Sequence, residues 1–411
     1  MKKIVVFGAG NIGRSLVGQI FSQAGYEVVF IDVVKQLIDA LNKERKYRIE
    51  VKDVNPRTII VNNVRAVNAA DIEKVSLEVA TADIAATAVG PNNLKNIYPL
   101  IAKGLIKRLK MRKGPLDIII CENIRNASRI FREGLLKHLP EDYPLDSTVG
   151  LIETSIGKMV PIMPEEVRRK DPLLLYAEAY NKIIADKKAF KGEIPEIEGL
   201  EPKDNMKAYV DRKLFIHNMG HAVTAYLGYI TNPEMKYIWQ AIENDPIRDT
   251  VEHAMWESGK SLIKEYPEEF NEQNIKQYID DLIRRFDNRF LGDTLYRVGR
   301  DLPRKLSRND RLIGALLLDQ KNGVPAPCTT VGTAAAMFFR AKDEKGNLYF
   351  KDKLFADEIY PRGIDYILKE VCGLDPVKDR SLFRKIKEAY HQIEANPSSW
   401  AEAIGHISME E

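Results

Sequence analysis

Lys213, Asn218 and His221 fall in one short, otherwise apolar segment, Lys213-Leu-Phe-Ile-His-Asn218-Met-Gly-His221. Its spacing predicts a helix over 207–230. At about 100° per residue, Asn218 lies about 140° round such a helix from Lys213, and His221 about 80°, so all three can face one cleft. A lysine removed from water loses proton affinity and can act as a general base near neutral pH. An amide N–H can stabilise an alkoxide or a polarised carbonyl oxygen, and a histidine can orient a substrate hydroxyl. Taken singly, a solvated lysine, a helix-interior asparagine and a packed histidine explain each residue as well. Taken together, and following a nucleotide-binding unit, they point to chemistry.

That unit is the stretch Gly8-Ala-Gly10-Asn11-Ile12-Gly13, which fits GxGxxG. Three glycines alone mark any tight turn. Here a strand precedes them, a helix follows, and Asp32 stands 19 positions past Gly13. Gly8 serves the turn, Gly10 lets a pyrophosphate approach the backbone, and Gly13 lets helix and strand pack closely. The phosphates then rest on the helix N-terminus, where free N–H groups and the macrodipole favour negative charge. Asp32 can accept hydrogen bonds from the adenosine ribose and repels a 2′-phosphate. Val33 and Val34 offer no compensating cation, so NAD is expected rather than NADP. Thr87 and Val89 end a later strand and are further candidates for the cofactor crevice.

A third concentration of charge lies at 297–311, where Arg297, Arg300, Arg304, Lys305, Arg308 and Arg311 face only Asp301 and Asp310. On a continuous helix the arginines form one stripe about 80° wide. Pro303 argues against continuity and divides them between two elements. Arginine suits a phosphate dianion through paired planar donors. A solvated face balancing acidic neighbours is the plain alternative.

The elements that must position these groups alternate at first. Residues 3–7 and 27–31 read as buried strands and 11–24 as a helix. Further apolar runs end at Val89 and Cys121, with helical spacing over 94–109. Alternating strands and helices predict a Rossmann-type, doubly wound parallel sheet. A polar stretch, 187–204, reads as a connector. Beyond it, 236–264, 272–286, 307–319 and 379–394 read as helices. The expected organisation is a dinucleotide-binding domain over 1–200 and a mostly α-helical substrate domain over 201–411. Charged residues make up 29% of the chain, but the net charge of +3 gives no global field for nucleic acid. No apolar run is long enough for a membrane span. The first residues read as a strand rather than a signal peptide. Three widely spaced cysteines form no disulfide framework and no zinc pattern. A cytoplasmic, metal-independent protein is the expectation.

The chain resembles the polyol-specific long-chain dehydrogenases. The matching stretches are Phe7 to Arg14, Thr87-Ala-Val-Gly90, Cys121-Glu-Asn123, Lys213 to Gly228, and Arg297-Val-Gly-Arg300 running into Arg304-Lys-Leu-Ser307 and Asp310-Arg-Leu312. The last of these points to the phosphopolyol branch. The resemblance implies NAD-dependent, metal-independent hydride transfer in carbohydrate metabolism. The implied substrates are a sugar alcohol phosphate and a ketose phosphate, of the mannitol 1-phosphate and fructose 6-phosphate kind. It implies Lys213 as general acid/base, Asn123 and Asn218 on the reacting oxygen, and His221 on substrate. Arg297, Arg300 and Arg304 are then the candidates for phosphate. One departure stands out: Gly157-Lys158 occupies the place of the family's Asp-Arg pair. It keeps open an unphosphorylated polyol or hexonate of the mannitol or altronate type, and an NAD-binding sensor with impaired catalysis.

Overall fold

The computed structural model describes residues 1–161 and 163–409, with the side chain of Met409 outside the description. The chain divides into two units, Met1–Val210 and Asp211–Glu411.

The first unit is built on strands β1 (Lys3–Phe7), β2 (Glu27–Asp32), β3 (Lys46–Val51), β4 (Arg57–Asn62), β5 (Val64–Asn68), β6 (Ile84–Thr87), β7 (Leu116–Ile120), β8 (Val149–Ser155), β9 (Leu174–Ala177), β10 (Ile183–Asp186) and β11 (Leu200–Lys203). Eight of them form a sheet in the order β11-β10-β8-β7-β6-β1-β2-β5. From β5 to β8 every pairing is parallel. Counting those six alone, the order is the 3-2-1-4-5-6 of a doubly wound dinucleotide fold, as expected from the alternation of strands and helices. Successive side chains of β1 and β2 feed opposite cores. Ile4, Val6, Val28 and Phe30 pack with Leu16, Phe21 and Tyr47. Val5, Phe7, Val29 and Ile31 pack with Ile97, Ile101 and Phe131. Strands buried on both faces need apolar residues at every position, which is why these runs are continuous rather than alternating.

Two features go beyond the sequence expectations. A three-stranded sheet, β4-β3-β9, is added, and β3 alternates buried Tyr47, Ile49 and Val51 with exposed Lys46 and Arg48. The stretch read as a connector contains β11, which pairs parallel to β10, while β10 runs antiparallel to β8.

The second unit is helical, as expected. Its central helix Met219–Thr231 is buried almost throughout and packs against Asp245–Glu265, Pro327–Ala336 and Leu295–Gly299. The single helix expected over 236–264 is two, Ile238–Ile242 and Asp245–Glu265. The Asn244 side chain caps the second by accepting from the Ile247 N–H. The helix expected from 307 begins only at Ile313. No helix among the described residues is long and apolar enough to cross a membrane.

Candidate active site

The fingerprint lies at the switch point between β1 and β6. Gly8 adopts φ +97°, and a Cβ there would sit 2.5 Å from the Ala88 carbonyl oxygen. A Cβ on Gly13 would sit 2.0 Å from the Gly8 carbonyl oxygen, so both positions exclude any side chain. Above Gly10 a Cβ would meet nothing within 4 Å. Asn11 is exposed and Ile12 half-buried beside that open space. The following helix opens with a π-helical turn, Gly13–Gly18.

Asp32, at the end of β2, does more than the sequence argument assigns it. One carboxylate oxygen accepts from the Ala9 N–H at 2.7 Å. The other accepts from Val33 and Val34 N–H at 2.8 and 2.9 Å. The acid therefore ties the glycine loop to the second strand. Arg14, nearly fully buried, ties it from the other side, donating to the Ala9 carbonyl at 2.7 Å and the Pro172 carbonyl at 3.0 Å.

Thr87 is fully buried and its hydroxyl donates to Glu122 at 2.6 Å. The Val89 N–H donates to the other oxygen of Glu122 at 3.0 Å. Glu122 is thus the organiser of the loop after β6, a role the sequence reading does not give it. Its signal was a carboxylate two residues past β7, whose last three residues are all isoleucine. Burial pushes its pKa up, opposed by these donors. Asn123 follows it, exposed at the carboxyl edge of β7. Of the departing pair, Lys158 is buried and donates to the Asn181 side chain at 3.1 Å.

In the second unit, Lys213–Asn218 is itself a π-helical turn inside the expected helix, with the Met219 N–H reaching the Leu214 carbonyl. The α-helical angle of 140° therefore does not apply. Just as i→i+4 bonding stacks residues i and i+4, i→i+5 bonding stacks i and i+5. Lys213 and Asn218 are so spaced and share a side of the helix. Burial, helped by the Arg311 cation, lowers the Lys213 pKa to about 8. His217, within the turn, is buried and held well below its usual pKa by burial and Arg285.

His221 stacks on Phe286 with ring centroids 4.4 Å apart and planes 10° from parallel. Its Nε2 lies 3.2 Å from an oxygen of buried Asp293. Arg297 grips the same carboxylate, with Nε 2.5 Å from one oxygen and Nη2 on the other. Against burial, the His221 and Arg297 contacts hold Asp293 down to about 2.

The arginine segment is broken, as Pro303 implies. Helices Leu295–Gly299 and Leu302–Lys305 flank Asp301, whose φ is +72°. Gly299 presses against Phe339, where a Cβ would come within 2.2 Å of the ring. Buried Asp352 pins the turn by accepting from the Asp301 and Leu302 N–H groups at 3.0 and 2.7 Å. Arg304 pairs with Asp301 and Asp310, Arg308 with Asp379, and Arg311 with Asp310. Buried Lys305 donates to the Val298 carbonyl. Arg300 lies 5.5 and 5.4 Å from the Tyr296 and Tyr349 rings, and no carboxylate among the described residues pairs with it. No group of three or more His, Cys, Asp or Glu among the described residues could hold a metal ion.

Comparison with known proteins places this arrangement. Among solved structures, a D-sorbitol dehydrogenase in substrate-free form superposes with a TM-score of 0.79 at 17% identity, covering 98% of this chain and 94% of that one. The mannitol 2-dehydrogenase of Pseudomonas fluorescens, in ternary complex with NAD and D-mannitol, gives a TM-score of 0.73 at 14% identity, covering 100% and 95%. At such identities these likenesses speak to fold. The family profile of the mannitol dehydrogenase Rossmann domain matches residues 2–199, and that of the mannitol dehydrogenase C-terminal domain matches 205–394. The chain belongs to the mannitol dehydrogenase family.

Proposed function

We propose that the protein is an NAD-dependent polyol dehydrogenase whose substrate carries an anionic group, a sugar alcohol phosphate interconverted with its ketose phosphate. The observation that carries the dehydrogenase reading is Lys213. A lysine held at about 8, on the same side of a widened turn as Asn218, has both protonation states within reach near neutral pH. In oxidation its neutral amine takes the hydroxyl proton, and in reduction its ammonium returns one. Asn218 donates an amide N–H to the oxygen whose charge grows, and Asn123 is proposed as a second such donor. His221 orients a substrate hydroxyl. These groups serve turnover, which favours an enzyme over a sensor.

The first unit fits a dinucleotide. The space above Gly10 is open, and the helix start presents N–H groups without intrahelical partners. A carboxylate offers about four acceptor sites. Asp32 uses three on the Ala9, Val33 and Val34 N–H groups, leaving one for a ribose hydroxyl. When bound, NAD(H) supplies the acceptor or donor of hydride.

The phosphate reading rests on Arg300, the one arginine of the 297–311 group without a carboxylate partner among the described residues. A second reading, an unphosphorylated polyol or hexonate, is favoured by the engagement of the other four arginines with acids. Reduction of fructose 6-phosphate and of fructose by NADH decides between them. The phosphate reading requires kcat/KM at least about tenfold higher for the phosphate, or ~1.4 kcal/mol, and loss of that margin in Arg300→Gln. Equal rates on both sugars reject it.

A further inference from the structure

We propose that Asp293 is the positioning residue of His221, and that Arg297 acts on the reaction through Asp293 rather than by binding the substrate's anionic group. The proposal rests on the polyol dehydrogenase reading for its kinetic consequences only.

Two contacts and a buried backbone fix the imidazole. Phe286 covers one ring face at 4.4 Å and 10°. The backbone of His221 belongs to the buried helix Met219–Thr231. Asp293 meets one ring edge at Nε2, 3.2 Å away, off the ideal hydrogen-bond line. A carboxylate facing Nε2 favours the tautomer protonated there, leaving Nδ1 as the nitrogen that can accept from a substrate hydroxyl.

The carboxylate itself is fixed. The Asp293 carbonyl accepts from the Ile238 N–H at 2.9 Å, and Thr294 forms an antiparallel bridge with Tyr237. The Thr294 hydroxyl caps the next helix by accepting from the Arg297 N–H at 3.2 Å. Arg297, one turn on, then closes both guanidinium donors onto the Asp293 oxygens. A bidentate pair of this kind leaves the arginine's charge largely neutralised where a phosphate would need it. The groups around His221 are otherwise cationic or neutral. Arg297 and Lys305 act on His221 itself, while Lys213, Arg285 and Arg311 act on His217, its neighbour on the same helix. Asp293 is the anion among them. It acts to raise the His221 pKa, against the larger lowering by burial.

The test combines ring-nitrogen NMR with kinetics on the full chain. In the wild type, ¹⁵N shifts of His221 should show the neutral Nε2–H tautomer near pH 7. In Asp293→Asn the apparent pKa should fall further and the tautomers should mix. Asp293→Asn and Arg297→Gln should each lower kcat/KM at least tenfold on fructose and fructose 6-phosphate alike, leaving their ratio within twofold. In a His221→Ala background each should cost less than twofold more, because what they position is gone. An Nδ1–H tautomer in the wild type overturns the proposal, whatever the variants do. So does an Arg297→Gln loss confined to the phosphorylated sugar. A wild type inactive on every polyol would sink the functional reading, while the NMR arm would still decide the role of Asp293.

Discussion

Lys213 shows how one residue's surroundings set both activity and cost. With its pKa near 8, kcat/KM for polyol oxidation should rise about tenfold per pH unit below 8 and level off above it. Reduction, which needs the ammonium, should be level below 8 and fall about tenfold per pH unit above it. A profile without a limb near 8 would remove the lysine from the proton transfer. The lowered pKa also bears on stability. The folded state disfavours the ammonium, so the penalty is full below pH 8 and disappears as pH rises from about 8 to the unperturbed 10.5. At neutral pH it amounts to at most ~3 kcal/mol. Lys213→Met should therefore lower kcat by about 10²–10⁴ while raising Tm at pH 7. That gain should shrink when melting is followed at pH 10. The residue types were legible in the sequence because Lys, Asn and His interrupt an apolar helix. Asp293 was not, because nothing in Gly-Asp-Thr says that its carboxylate will be buried between a histidine and an arginine.

At the scale of elements, two loops are held by acids, half-buried Asp32 and buried Asp352. The glycine loop depends on Asp32, so Asp32→Ala should do two things at once. It should narrow the preference for NADH over NADPH by removing the repulsion of a 2′-phosphate. It should also weaken both cofactors, because the Ala9 N–H loses its partner. Unchanged NADH affinity in titration would show that the loop does not need the acid. The turn carrying Arg300 depends on Asp352. Asp352→Ala leaves two N–H groups unpaired beside an Asp301 backbone already at φ +72°. Denaturant unfolding should register a loss of about 1–3 kcal/mol, with erosion of any preference for the phosphorylated sugar. Here sequence reasoning went part of the way. Pro303 predicted the break, but the long-range acid, fifty residues on, is a tertiary contact without a local signal. The π-helical turn at Lys213 was likewise hidden, since its residues keep ordinary helical composition.

The whole molecule follows the family plan, a Rossmann domain and a helical C-terminal domain. The first was legible because strands buried on both faces leave unbroken apolar runs between helical stretches. The small sheet β4-β3-β9 was harder to see, although Lys46 to Val51 alternate cleanly, because its third strand joins from more than a hundred residues away. The proposed mechanism gives proton transfer and oxygen stabilisation to side chains and calls on no metal, and no group of three or more His, Cys, Asp or Glu that could hold one occurs among the described residues. Treatment with EDTA should accordingly leave kcat unchanged. A loss restored by a divalent cation would show a requirement that the proposed residues do not supply.

The helix that bears Lys213 also has an unusual tolerance written into it. A widened turn holds one residue more than an α-helix needs between the same two ends. Dropping a single codon between Leu214 and His217 lets the turn close to ordinary i→i+4 bonding while the flanking segments keep their packing. In most buried helices such a deletion rotates everything downstream and ruins the core. Here it would leave a well-folded protein whose lysine and asparagine, now four apart on an ordinary turn, still share a side, so that the added residue alters the spacing along the axis without being what brings the pair together.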